Sequence, residues 1–213
     1  MAITDYDKAI ELNPQFSRAY NNRGSAYLKN EQRDKAMQDF SKSIELDPKV
    51  AVTFRNRGTT YCYKGQYVLA IDDYTRSIAL DPKYAEAFNY RGYAYTKNGQ
   101  YDLAIADYNQ AFKLDPKDAE AFNNRLSMTY NDRGHAYGSK GQWEIAIADF
   151  SKAIEVDQTN AFAYSNLAYA YLQKGQYSKA IIFYEKVVAI SENLELVNNA
   201  KSVISEIRTM DQR

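Results

Sequence analysis

One cysteine and one histidine, Cys62 and His135, are all that 213 residues supply of either type. A single thiol makes no disulfide within the chain, which suits a reducing, cytoplasmic compartment. No ligand spacing converges on either residue, so neither a His/Cys metal site nor a Cys–His dyad is expected, and both read as groove or packing residues. There are no strands, hence no Gly-rich phosphate loop placed after one. Acidic residues are many but scattered over solvated faces. No catalytic residue, cofactor or metal is therefore expected, and the chain reads as a non-enzyme. Charge of one sign is also missing: Lys+Arg and Asp+Glu both total 27. That balance excludes the basic footprint of a nucleic-acid binder. No run approaches the ~18 apolar residues of a membrane helix, and MAITDYDKAIEL lacks the cationic start and apolar run of a signal peptide.

Proline and glycine are scarce, at 4 and 9, while tyrosine is abundant at 20. Such a balance suits an all-helical chain rich in aromatic packing. The four prolines, Pro14, Pro48, Pro82 and Pro116, recur every 34 residues in ELNP, ELDP, ALDP and KLDP. Gly24, Gly58 and Gly92 share the interval, as do Tyr27, Tyr61 and Tyr95, then Ala36, Ala70 and Ala104, then Phe40, Tyr74 and Tyr108. Within a repeat the apolar residues form two helical stripes. In AEAFNYRGYAYTKN, Phe88, Gly92 and Tyr95 share one face; Ala104, Tyr108 and Ala111 form the inner face of the next helix. Gly65, Gly99, Gly141 and Gly175 mark the turn between the helices, and Asp-Pro is expected to stop the second one.

This pattern resembles the tetratricopeptide repeat (TPR) family over nearly the whole chain. The resemblance implies an all-α solenoid of helix–turn–helix repeats wound into a right-handed superhelix. Residues 1–16 read as an orphan second helix. Regular repeats follow at 17–50, 51–84 and 85–118, then a lengthened repeat at 119–160, a regular one at 161–194, and a capping helix at 195–213.

One slot departs from the family: the Leu before the glycine is Arg23, Arg57, Arg91 and Arg133. The partner helices carry Asp39, Asp73, Asp107 and Asp149, and in the last repeat both change together, to Leu167 and Phe183. Each Arg is expected to pair with the Asp of its own repeat; the alternative is that both are ordinary solvated charges.

In TPR proteins the first helices line a concave face on which extended peptides lie. Here the stripe opposite Phe88 and Tyr95 holds Glu86, Asn89, Tyr90, Tyr93 and Lys97, with Ser165, Asn166 and Tyr169 in the last repeat. Asn22, Asn56, Asn124 and Asn166 resemble the asparagine ladder that holds a peptide backbone in some members, interrupted by Tyr90 and Asp132. A carboxamide both donates and accepts, so it can pair with any peptide unit. The alternative is that these polar residues merely keep the face wet. The carboxylate clamp of the chaperone-tail binders does not fit, because its slots hold Asn21, Ser25, Asn56, Glu86 and Tyr90, and only Asn56 matches. The expected partner is a protein or peptide, with neither nucleic acid nor membrane; the competing reading is a self-associating scaffold, a homo-oligomer built through the orphan helix or the lengthened one. That orphan helix would leave a face uncovered, as in a piece of a longer protein or a surface another chain covers.

AFNNRLSMTYNDRG repeats one phrase eight residues apart. With no Gly or Pro from Lys117 to Arg133, the reading is one long first helix that offsets 127–194 from 17–118. A break near Ser127, with the extra segment folded aside, is the alternative.

Overall fold

Side chains alternate between two jobs along every repeat, closing a helical hairpin and stacking it on the next. The computed structural model describes residues 2–116 and 119–210, with side chains described for 3–116 and 123–209, and contains twelve α-helices and no strand among them. Two compact units divide the chain at residues 117 and 118. The N-terminal unit holds α1 (Ala2–Leu12), α2 (Ser17–Lys29), α3 (Arg33–Leu46), α4 (Ala51–Tyr63), α5 (Tyr67–Leu80), α6 (Ala85–Lys97) and α7 (Tyr101–Leu114). The C-terminal unit holds α8 (Ala119–Gly138), α9 (Trp143–Val156), α10 (Ala161–Gln173), α11 (Tyr177–Ile190) and α12 (Leu194–Met210). Within each unit, consecutive helices pack in chain order, and first helices also touch, α2 on α4, α4 on α6 and α8 on α10.

The hairpins close on small residues facing rings. A Cβ added to Gly58 would lie 2.8 Å from the Tyr74 ring, which is fully buried. Ala36, Ala70, Ala104 and Ala146 are likewise buried, so the two helices of a repeat meet at close range. Each first helix ends in a Schellman turn. Gln66, for example, donates its N–H to the Tyr61 carbonyl at 2.9 Å, past Gly65 at φ 71. The first repeat has the same hydrogen bonds, Gln32 to Tyr27 and Glu31 to Leu28, but Glu31 occupies the left-handed position at φ 58. A Cβ there costs roughly 1–2 kcal/mol. Glu31→Gly is therefore expected to stabilise the chain by about 1 kcal/mol, which equilibrium urea unfolding would read as a higher midpoint.

Helices α3, α5 and α7 stop at Asp-Pro as expected, and α9 stops at an aspartate without a proline. Asp47, Asp81, Asp115 and Asp157 all leave their helices with extended backbone, although Asp157 precedes Gln158 and not a proline. Asp47, Asp81 and Asp157 accept the N–H two residues on at 2.8–3.0 Å, an Asx turn that works with or without Pro.

Helix α8 runs for 20 residues through Ser127 without a break. The register of its repeat starts at that serine. Ser127 donates its hydroxyl to the Ala153 carbonyl at 2.8 Å, as Ser17 does to Ser43 at 3.0 Å, both 26 residues apart. Residues 119–126 are thus an N-terminal extension of an otherwise regular first helix. At the other end α12 covers α11 with Val197, Ala200, Ile204 and Ile207 buried and Val203 half-buried. The expected cap, 195–213, begins one residue later than α12; residues 211–213 lie outside the described ones.

Candidate functional site

The four Arg–Asp combinations are bidentate ion pairs. Arg23, Arg57, Arg91 and Arg133 each donate from Nε and Nη2 to both oxygens of Asp39, Asp73, Asp107 and Asp149, at 2.6–2.8 Å. The aspartate side chains are only 5–8% exposed. Hydrogen bonding to Asp73 holds the Arg57 guanidinium above its ordinary pKa, against the opposing effect of burial. A third bond ties three of these arginines to the preceding second helix: Nη1 reaches Asp7 at 2.8 Å from Arg23, Ser41 at 3.4 Å from Arg57, and Thr75 at 3.1 Å from Arg91. Arg23, Arg57 and Arg91 thus each close their own hairpin and fasten it to the second helix before. Where Leu167 replaces the arginine, Phe183 stacks on Tyr171 at 5.5 Å, and Ser151 turns its hydroxyl back to the Ile147 carbonyl.

The asparagines of the first helices do not stand free in a row. Asn56 donates its amide N–H to Asn21 Oδ1 at 3.0 Å and to Ser25 at 3.3 Å, and is itself 8% exposed. Asn21 donates onward to Asn22 at 3.3 Å. In the C-terminal unit Asn166 donates to Asn131 at 2.9 Å. In both cases a carboxamide reaches back 35 residues and joins neighbouring first helices, whereas the third repeat carries Tyr90 in that slot. Asn89 occupies the slot of Asn21 and Asn131, and its Oδ1 is buried without a hydrogen-bond partner among the described residues. Tyr90 stacks on Tyr74 at 6.0 Å and lies beside Arg55. Arg55 in turn pairs with Glu86 at 3.1 Å and donates to Tyr84. Of the remaining expected groove residues, Asn22 is half-buried and Tyr93, Asn124 and Tyr169 are exposed.

Between α8 and α10 lies a cavity of about 340 Å³ lined by His135, Gly138, Ser139, Trp143, Asn166 and Tyr169. Burial pushes the thiol of Cys62 up, away from the thiolate a nucleophile needs, and the Tyr74 hydroxyl sits 3.7 Å from it. Among the described residues no three His, Cys, Asp or Glu side chains gather as metal ligands, and no helix is long and apolar enough to cross a membrane.

The tetratricopeptide repeat pattern matches residues 17–50, 85–118 and 161–194, and a second TPR repeat pattern matches 1–31, 58–99 and 134–175. The chain belongs to the tetratricopeptide repeat family. No curated protein matches this TPR chain. Solved structures do. YrrB, described as a TPR protein with an unusual peptide-binding site, is 24% identical over 92% of this chain and 97% of that one, with a TM-score of 0.69. The C-terminal part of a TPR repeat-containing protein from Cytophaga hutchinsonii reaches 0.72 at 19% identity, covering 98% and 82%. At these identities both show the fold alone. The first TPR of Spaghetti (RPAP3), bound to the HSP90 peptide SRMEEVD, is 26% identical over 54% of this chain and 90% of that one, with a TM-score of 0.52.

Sequence comparison among the repeats placed the arginines and aspartates but not the third acceptor. Asp7, Ser41 and Thr75 differ in type, and only their common 16-residue spacing to an arginine marks them. The cavity residues His135, Gly138 and Trp143 were likewise missed as a group. Their signal is that Gly138 belongs to neither of the two glycine series.

Proposed function

We propose that this TPR chain is a non-catalytic interaction scaffold that holds an extended peptide or protein segment against its first helices. The observation that carries the reading is the linked strip Asn21–Ser25–Asn56 across α2 and α4, with Asn22 beside it and Tyr93 exposed on α6. Amides already fixed by hydrogen bonds lose little freedom when a peptide backbone adds to them. Two similar TPR structures are described with peptide sites, which supports the same class of ligand.

A carboxylate clamp remains disfavoured. Arg55 lies over the Tyr90 ring, beside two of those slots, and already has Glu86 as its counter-charge at 3.1 Å. A ligand carboxylate would meet Glu86 there and be repelled. Self-association through α1 is less well supported than the groove. Of the large apolar side chains on that helix, Leu12 is strongly exposed while Ile3, Tyr6 and Ile10 are half-buried against their surroundings.

Asn56→Ala is a poor probe of the groove, because it also unfastens two repeats. Asn22→Ala with Tyr93→Ala is better. Against a peptide selected from a random display library, this double variant is expected to bind at least about tenfold more weakly, the loss of one hydrogen bond and one aromatic contact. Its melting temperature should change little, because the bond it removes, Asn21 to Asn22 at 3.3 Å, lies within α2 and joins no two repeats. Equal affinity for the wild type and the variant, or a library without binders, would overturn the reading.

A further inference from the structure

The lone tryptophan, the lone histidine and the glycine that belongs to neither series meet in the cavity between α8 and α10. Gly138 stands four residues after the close-contact Gly134, where the other first helices carry Leu28, Cys62, Thr96 and Leu172. A Cβ at Gly138 would lie 2.9 Å from Trp143 Cζ3, so the missing side chain is what lets the indole lean across α8. Tyr169, 47% exposed, closes the far wall edge-on to the indole at 5.9 Å and 73°. No lining residue is a carboxylate, Lys or Arg. Asn166 sits at the rim with its amide N–H directed to Asn131, which turns its carboxamide into a fixed group.

We propose that this cavity takes one large uncharged side chain, aliphatic or aromatic, of a bound peptide. The proposal rests on the peptide-binding reading and specifies one anchor within it. Rings set edge-to-face offer apolar area to such a side chain. A lysine could lie over the indole, but no carboxylate in the lining would neutralise it, and its ammonium would lose water without a partner.

Trp143 is the sole indole, so its fluorescence reports from inside the site. The full chain would be titrated with N-acetyl-leucine methylamide, N-acetyl-phenylalanine methylamide and Nα-acetyl-lysine methylamide. The expected result is a saturable change with the first two and weaker binding of the third. Gly138→Leu, which restores the residue found at Leu28 and Leu172, should weaken binding of the leucine amide at least about tenfold, the share of one buried side chain. Tyr169→Ala, on an exposed wall, provides a second variant whose folding is not in question, and it too should weaken binding. An unsaturable signal, an equal or tighter lysine amide, or no loss in Tyr169→Ala would overturn the proposal. Peptides from the library that bind without moving Trp143 fluorescence would also overturn it and leave the groove reading intact. Small amides that saturate while no library peptide binds would support the pocket and overturn the groove.

Discussion

Asp73→Phe alone is expected to destabilise the chain by about 3–5 kcal/mol, and adding Arg57→Leu is expected to return most of that loss. Asp73 is 6% exposed and accepts two hydrogen bonds from Arg57 at 2.7 and 2.8 Å. Without it the guanidinium keeps a single bond, to Ser41 at 3.4 Å, in surroundings made largely of the Phe54 and Tyr61 rings. A half-buried cation left without its carboxylate is the costly state, not the absence of the pair. The last repeat already contains the double replacement. Leu167 is buried there, and Phe183 stacks on Tyr171, the residue equivalent to Tyr61. The double variant of the second repeat should therefore form a similar apolar contact. Urea unfolding of both single variants and the double variant gives the coupling directly. Losses that simply add would show that the two side chains do not act as a pair.

Much of the architecture could be read from the residues, because a repeat supplies its own comparison. Glycines and tyrosines 34 residues apart mark the hairpins, and the joint change to Leu167 and Phe183 marks the arginine and the aspartate as a pair. The absence of Gly and Pro before Arg133 likewise pointed to the long α8. What escaped was of two kinds. Contacts between repeats were hidden where the residue type varies: Asp7, Ser41 and Thr75 all accept from an arginine, yet share only the presence of an oxygen. That Asn56 and Asn166 bridge two first helices was also hidden, because a carboxamide facing a groove and one joining two helices have the same spacing. The stop at Asp-Pro was legible in three helices, but the Asx turn that accompanies it was not, and only Asp157, which lacks a following proline, shows it by itself. Features that occur once, such as Trp143 against Gly138, have no second copy to compare with.

Gly134→Ala is expected to cost about 1–3 kcal/mol, the usual penalty for overfilling a packed contact. It should cost more than the same change at Gly92. A Cβ at Gly134 would lie 2.7 Å from the Phe150 ring and 3.2 Å from the Ala146 carbonyl oxygen, and that oxygen belongs to the backbone of α9. At Gly92 the nearest atom is a Tyr108 ring carbon at 3.0 Å. A ring can turn by a few tenths of an ångström, whereas a helix backbone moves only with its neighbours. The last repeat shows that alanine is compatible with this slot when its surroundings are built for it, since Ala168 is fully buried there against the cluster containing Tyr184. That repeat carries Leu167 and Phe183 instead of the ion pair, so its two helices are not held by bidentate hydrogen bonds of fixed length. In the fourth repeat Arg133 and Asp149 fix the separation at 2.6–2.8 Å, one residue away from the glycine. Widening the contact to admit a methyl group must therefore stretch those bonds as well. It follows that Gly134→Ala should be milder when combined with Arg133→Leu and Asp149→Phe than alone. Urea midpoints for the single, double and triple variants measure that difference, and an identical penalty in both backgrounds would show that the ion pair does not set the helix spacing.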